Sequence, residues 1–399
     1  MCRTWPTCGS GAKEKLDITR PSICSSRRWS ARREKRHERG GERIAHEERL
    51  ARLRGRMREE GATALVVFDL LNVRYLTGFR GSSAVAVVDL DDVQLVSDFR
   101  YRLQAAQEAP VARFVEIEGP LIEVLPSLLL EDGLVAIEGT HLPVTQWAKL
   151  EPAMAGRPTT VVEGWVERLR EIKSQAEIEA IAAAATIVTG MLQRLTSMKV
   201  VGRSEREIAL DLEIWARQHG SEPVPFPLIV ASGPRGAMPH AETTGEPVPP
   251  GRLLVVDIGA AVHGYAADVT RTFATGPLGD EELQVYATVE AAQRAAREAA
   301  RAGMTCAALD GLARAIIDGA GYGELFRHSL GHGVGLDVHE APRLSANNDG
   351  SLEAGMVVTI EPGVYVEGLG GVRIEDTVLV QAEGIRVLSD FPRALVTLD

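Results

Sequence analysis

Two apolar runs near the middle of the chain each carry an acid where a core residue belongs. Leu253-Leu254-Val255-Val256-Asp257-Ile258-Gly259 holds Asp257, and Asp268 opens Asp268-Val269-Thr270-Arg271-Thr272-Phe273. His263-Gly264 between them is a turn signal, so the spacing predicts a hairpin over Leu253–Ala261 and Tyr265–Phe273. In that hairpin residues 257 and 268 come out directly opposite or diagonally paired on one face. A carboxylate buried in a strand is costly unless it is paired or bound to a metal. The rest of the fold must supply this face with a partner.

Two more acids share the predicament. Glu361 closes Val357-Val358-Thr359-Ile360-Glu361, in an expected strand Met356–Glu361, and Glu375 ends Val372-Arg373-Ile374-Glu375. Within an expected strand Gly371–Val380, the period of two puts Arg373 and Glu375 on one face and leaves Val372 and Ile374 for the core. For any one acid, an exposed strand end or an arginine partner is the plainer account. Four acids in one half of the chain, beside the histidines of Ser329–Pro342, shift the balance. His332 and His339 stand there among Gly331, Gly333 and Gly335, glycines expected to use positive φ and bring the backbone close to a ligand. Four carboxylates balance two divalent cations, and one histidine with four carboxylates suits Mn²⁺, with Zn²⁺, Co²⁺ or Fe²⁺ also admitted. A pair of such ions can hold a bridging hydroxide and polarise a carbonyl, which points to a dinuclear hydrolase.

The flanking elements follow from periodicity. Leu50, Leu53 and Met57 mark a helix that starts near His46 and ends at Gly61. Ala64–Phe68, Ser83–Val88, Val93–Val96 and Leu134–Ile137 read as strands alternating with helices around Tyr101–Glu108 and Leu121–Leu130, an α/β unit placed at 46–162. Ser174-Gln175-Ala176-Glu177 and Ser204-Glu205-Arg206-Glu207 are capping boxes that open two helices. In the first, Ile178, Ile181, Ala185, Val188, Leu192 and Leu195 recur at helical steps. A strand Pro225–Ala231, a loop with Met238-Pro239-His240, the hairpin, and helices Asp280–Ala302 and Ala307–Gly319 complete a layout of two αα-ββ halves facing each other.

Charge and composition exclude other classes. The net charge of −11 divides unevenly: residues 1–43 hold 12 Lys/Arg against 5 Asp/Glu, and the remainder holds 32 against 50. An acidic body argues against nucleic-acid binding, and residues 1–45 are expected to be a disordered basic tail. No apolar run reaches the ~20 residues a membrane span needs. The N-terminus lacks an apolar signal region, so a cytoplasmic location is expected. Cys2, Cys8 and Cys24 in the tail and Cys306 in the body form neither a disulfide framework nor a metal motif. The triple-glycine stretch lacks the strand-loop-helix context of a nucleotide loop. His263 is expected to be an exposed turn residue and His328 a packing or surface residue, with the mouth of a pocket as its alternative place.

Taken in order, Val-Asp257-Ile-Gly-Ala, Asp268-Val-Thr-Arg-Thr-Phe, Gly-His332-Gly-Val-Gly-Leu-Asp-Val-His339-Glu, Thr-Ile-Glu361-Pro-Gly and Arg373-Ile-Glu375-Asp resemble the pita-bread metallopeptidase family. The resemblance is to its Xaa-Pro dipeptidase (prolidase) and Xaa-Pro aminopeptidase branch, and Tyr75-Leu-Thr-Gly-Phe resembles the creatinase-type N-terminal domain. It implies an α+β chain, with a pita-bread catalytic domain at 163–399 behind a smaller creatinase-type α/β domain at 46–162. It implies Asp257, Asp268, His332, Glu361 and Glu375 as ligands of two metal ions, with Asp268 and Glu375 bridging. Glu361 would handle the proton of the attacking water, and His339 would face the substrate carbonyl. His240 would lie near the substrate, with Tyr365 and Arg373 supporting the site. The implied activity is release of the N-terminal residue from peptides with proline second, by metal-activated hydroxide, in a homodimer. Hydrolysis of a non-peptide C–N bond, as in creatinase or ectoine-type hydrolases, and a non-catalytic peptide-binding module are the alternatives. The complete set of five ligands weighs against the latter and against creatinase itself.

Overall fold

The structure, a computed structural model, describes residues 44–129, 132–154 and 156–399. The basic tail lies outside the described residues except for its last two, Ile44 and Ala45, which already belong to helix α1 (described over 44–59), ahead of the start expected near His46. Leu50, Leu53 and Met57 form its buried stripe, and Gly61 follows at φ +72°.

The first unit is a six-stranded mixed sheet of β1 (Ala62–Val67), β2 (Val85–Asp89), β3 (Val93–Ser97), β4 (Arg113–Glu116), β5 (Leu134–Glu138) and β6 (Thr159–Val162), in the order β4-β3-β2-β1-β5-β6. The helices on it are α2 (Leu70–Thr77), α3 (Arg102–Glu108), α4 (Leu121–Leu128) and α5 (Val144–Ala153). Periodicity had missed β4, β6, α2 and α5. Short or half-exposed strands such as Arg113–Glu116 carry little apolar alternation, and Leu130 at the expected end of α4 lies outside the described residues. Helix α6 (Glu167–Glu171) leads out of this unit.

Both capping boxes are present, at Ser174–Glu177 and Ser204–Glu207, and open α7 (Gln175–Ser197) and α8 (Glu205–Gln218). By length and composition α7 meets the requirement for a membrane span, against the sequence reading; half of that window is buried. All six residues of its expected stripe pack in the core beneath the hairpin.

That hairpin is β8 (Leu253–Val262) and β9 (Tyr265–Ala274), flanked by β7 (Ile229–Ser232), which is shorter and later than the expected Pro225–Ala231. His263 turns it, exposed and at φ +50°, with Gly264 at φ +80°. The hairpin has two faces because strand side chains alternate. Leu254, Val256, Ile258 and Ala260, with Ala267, Val269 and Phe273, pack against α7 and α8. Asp257, Asp268, Thr270 and Thr272 occupy the other face, with Asp257 opposite Thr270 and Asp268 opposite Gly259, so the two acids are diagonal neighbours.

The second half repeats the plan. Helices α9 (Asp280–Ala299) and α10 (Cys306–Gly319) pack on a five-stranded sheet ordered β11-β10-β12-β15-β16. Its strands are β10 (Gly331–Gly333), β11 (Glu340–Leu344), β12 (Val357–Ile360), β15 (Asp376–Val380) and β16 (Ile385–Val387). A separate ribbon pairs β13 (Gly363–Val366) with β14 (Gly370–Arg373).

The expected single strand Gly371–Val380 is therefore two, broken at Ile374 and Glu375. At the break Glu375 N–H donates to Thr270 O of the hairpin at 3.0 Å instead of continuing the ladder, and Ile374 stays buried in the core. Arg373 and Glu375 do not share a strand face by simple alternation. Both are delivered to the hairpin's polar face by this crossing.

Candidate metal centre

Three elements converge on the polar face of the hairpin: the end of β12 brings Glu361, the break after β14 brings Glu375, and β10 brings His332. Ligand-capable atoms of Asp257, Asp268 and Glu375 lie within 4.8 Å of one another, as do those of His332, Glu361 and Glu375, and those of Asp268, His332 and His339. The structure thus brings together all five expected ligands. His332 Nε2 lies 3.2 Å from Glu361 Oε1 and 3.8 Å from Asp268 Oδ2. Thr359 braces this pair: its hydroxyl accepts from His332 N–H at 3.1 Å and donates to Glu361 Oε1 at 3.2 Å.

The electrostatics are those of acids crowded together out of water. Burial pushes Asp268 well above the usual carboxylate range, and the charges of Glu375, Asp257 and Glu361 add to the shift. Glu375 is raised likewise, by burial and then by Glu361 and Asp257. Burial opposes charge on His332, but the hydrogen bond and charge of Glu361 outweigh it and hold the imidazole at about 9. Burial works on Glu361 too, and there His332 prevails and lowers the carboxyl.

Asp257 Oδ1, Asp268 Oδ1 and Glu375 Oε1 are buried without a hydrogen-bond partner. Orphaned buried oxygens are rare because each forfeits its hydration. Three on one face, within reach of an imidazole, are the donor set that divalent cations complete. The residues fit such ions.

Around the cluster runs a polar chain. Arg373 donates to Asp257 Oδ2 at 2.7 Å, Tyr365 Oη at 2.8 Å, Thr270 Oγ1 at 2.9 Å and Pro239 O at 3.3 Å. Thr270 in turn donates to Glu375 Oε2 at 2.7 Å. His328 Nε2 lies 3.1 Å from Tyr365 Oη, and its Nδ1 lies 2.8 Å from Ser329 O. His328 also packs edge-on against Phe326 at 5.0 Å between centroids, so the expected packing role is joined by a place in this polar chain. No spacing marks it, because its link to Tyr365 is made across the fold. Thr270 was also passed over, although the period of two from Asp268 places it on the acid face.

His339 is exposed, and its ring meets that of His332 edge-on at 4.4 Å between centroids. His240 is exposed on the loop after β7, and the carbonyl of its neighbour Pro239 accepts from Arg373. The three glycines correct another expectation, since none has positive φ. They permit close packing instead: a Cβ on Gly331 would stand 2.1 Å from Thr359 O, and one on Gly333 2.1 Å from Ala341 O. A further group, Asp69, His141 and Glu167, lies beside the first sheet, with Arg170 3.6 Å from Asp69 to meet its charge.

Residues 179–382 match the model of Metallopeptidase family M24, and residues 49–172 match that of the Creatinase/Prolidase N-terminal domain. The chain is 36% identical to the Xaa-Pro dipeptidase of Pyrococcus furiosus over 352 residues, 88% of this chain and 99% of the relative. Among solved structures, the Xaa-Pro dipeptidase from Bacillus anthracis superposes with a TM-score of 0.85 at 35% identity, covering 88% of this chain and all of that one (100%). The X-Pro aminopeptidase from Thermotoga maritima gives 0.78 at 35% identity, covering 84% of this chain and 98% of that one.

Proposed function

The chain belongs to metallopeptidase family M24, with a creatinase/prolidase-type N-terminal domain ahead of a pita-bread catalytic fold, and on that premise we propose that it releases the N-terminal residue from peptides with proline second. It is an enzyme of the metallopeptidase class. The observation that carries the finer reading is the convergence of Asp257, Asp268, His332, Glu361 and Glu375 around three buried, unpartnered carboxylate oxygens. We assign these five as the residues that would hold two divalent cations, Mn²⁺ first. We take 46–162 and 163–399 as the two domains.

When bound, such ions polarise the scissile carbonyl and make the attacking water acidic. The protein's own residues do the rest. Glu361 accepts the water proton as the water oxygen bonds to the carbonyl carbon, and passes it to the proline nitrogen as the C–N bond breaks. His339, exposed beside His332, donates to the carbonyl oxygen as negative charge builds there. Arg373 holds Asp257 in place and, through Tyr365, orients the His328 ring. His240 borders the substrate from the loop that Pro239 fastens to Arg373. Similarity to both a dipeptidase and an aminopeptidase leaves the peptide length as the quantity to measure.

The test is hydrolysis of Ala-Pro and Ala-Pro-Ala by Mn²⁺-supplied protein. Hydrolysis at the bond before proline is expected, with loss of turnover and of bound metal in Asp268→Ala and Glu361→Ala. Activity surviving either change, or cleavage of guanidino or cyclic amides in preference to both peptides, overturns the reading. The resemblance extends the proposal to a cytoplasmic homodimer, tested by sedimentation velocity and by fractionation of the source cells.

A further inference from the structure

His339 is followed directly by Glu340, and the two side chains have different surroundings. His339 is exposed against His332, whereas the Glu340 side chain is only 7% exposed and grips two cations. Its Oε2 accepts from Arg170 Nη2 at 2.7 Å, and its Oε1 lies 2.7 Å from Lys173 Nζ. Arg170 stands in α6 and Lys173 two residues beyond it, in the segment between the first sheet and the catalytic half. Lys173 is itself fixed, since its N–H donates to Gly355 O at 3.0 Å.

The chain of contacts continues into the first unit. Arg170 Nη1 donates to Asn72 Oδ1 at 2.9 Å, and Asn72, fully buried (0% exposed) in α2, donates from Nδ2 to Glu138 Oε1 at 2.5 Å and Glu167 Oε1 at 2.8 Å. Glu138 ends β5 and also accepts from the backbone N–H groups of Phe68 and Asp69 at 2.7 and 2.6 Å. On its other side the Glu340 carboxylate lies against the loop backbone: a Cβ on Gly335 would stand 2.2 Å from Glu340 Oε1. Gly335 O in turn accepts from Ala266 N–H of β9 at 2.8 Å. Loop and linker thus meet at one carboxylate, and the hairpin and first sheet are tied to it through Gly335 and Arg170.

We propose that Glu340 is a positioning residue: held by Arg170 and Lys173, it fixes His339 toward the site, and Asn72 makes the first sheet unit part of that support. A side chain beside a reacting group acts only if its rotamer and backbone are held by the groups behind it. The grip of Arg170 and Lys173 on Glu340, closed by the Gly335 backbone, is such a support, and it enlists residues more than 160 positions apart in sequence. The N-terminal domain therefore contributes to the chemistry without touching the substrate. The inference rests on reading His339 as the group that faces the substrate carbonyl.

The test compares wild type, Glu340→Gln, Asn72→Ser, His339→Ala and the double variant Glu340→Gln/His339→Ala, each as the full chain, supplied with Mn²⁺ for turnover and with diamagnetic Zn²⁺ for metal content and the imidazole signal. On Ala-Pro, Glu340→Gln is expected to lower kcat at least about tenfold, with KM and bound zinc close to wild type and no further fall in the His339→Ala background. An equal fall in both backgrounds, or no fall at all, overturns the inference. A second readout needs no turnover: the His339 imidazole ¹³Cε1–¹H signal, identified by its loss in His339→Ala, is expected to shift or broaden in Glu340→Gln and Asn72→Ser. An unchanged signal in both overturns the inference. If wild type hydrolyses no Xaa-Pro peptide, the functional reading fails and the imidazole signal alone decides whether Glu340 positions His339. If Glu340→Gln does not fold, Asn72→Ser carries both measurements.

Discussion

Arg373 Nη2 lies 2.7 Å from Asp257 Oδ2, so an acid of the hairpin is bound to a cation of the opposite half. The same guanidinium, almost fully buried, reaches Thr270, Tyr365 and Pro239 O. Only a planar fork of several donors can serve all four acceptors at once. Arg373→Lys keeps the charge but offers a point ammonium. It is expected to lower kcat/KM about 10–100-fold, the range typical of groups that support a metal ligand, while circular dichroism stays unchanged. Wild-type kcat/KM in this variant contradicts the role given to Arg373.

Metal supply should stabilise the fold. A ligand that binds only the native state adds RT ln(1 + [L]/Kd), about 2.7 kcal/mol at a hundredfold excess over Kd. Chelator-treated protein is expected to melt at a lower temperature and to recover on addition of Mn²⁺. Asp268→Asn and Glu375→Gln each remove a carboxylate from the cluster and should abolish the recovery. A metal-dependent shift of wild-type size in both variants places the ions elsewhere.

His46 makes stability fall in acid. Burial first, and then the charge of Arg49, hold its imidazole down at about 4 from the ordinary 6.5. Between those values the unfolded chain takes up a proton that the folded chain refuses, so stability is full above about 6.5 and declines as pH drops toward 4. Across the whole window the decline is on the order of 3 kcal/mol. His46→Gln keeps a donor for Tyr75 O, which lies 3.0 Å from His46 Nδ1, but does not titrate. Urea unfolding at pH 7.5 and 4.5 should show a smaller pH dependence in the variant; an equal dependence exonerates His46.

Glu205 clips the loop that carries His240. Fully buried (0% exposed), its carboxylate accepts from Ser232 N–H at 2.9 Å and Thr244 N–H at 3.0 Å, one at each end of the loop, and from Arg235 Nε at 3.2 Å. Glu205→Gln turns one acceptor into a donor facing donors, a loss of about 1–3 kcal/mol. Faster proteolysis between 233 and 243 and a raised KM for Ala-Pro are expected. Unchanged values for both show that the loop is held by other contacts.

Much of this was legible before any coordinates. The capping boxes, the stripe of α7 and the hairpin around His263-Gly264 depend on neighbours within a few residues or on a fixed period, and they appear where the spacing put them. The candidate ligands were legible for a different reason: a carboxylate inside an apolar strand contradicts its surroundings, and four such contradictions imply a common partner.

Periodicity could not foresee the break at Ile374–Glu375, because it arises when Glu375 N–H leaves its ladder for Thr270 O. Nor could it show that Gly331 and Gly333 give room to neighbouring strands instead of to a ligand, since the carbonyls they avoid belong to Thr359 and Ala341. His328 joined the polar chain only when β13 set Tyr365 beside it.

The sequence by itself determined which residues are the candidates for the chemistry, since acid, imidazole and glycine announce themselves against apolar runs of known period. Only the tertiary structure decided how they are held: Arg373 across the two halves, Thr270 beneath Glu375, and Glu340 between Arg170 and Lys173. Those supports join residues more than a hundred positions apart, and no local period encodes a contact that exists only after the chain has closed on itself.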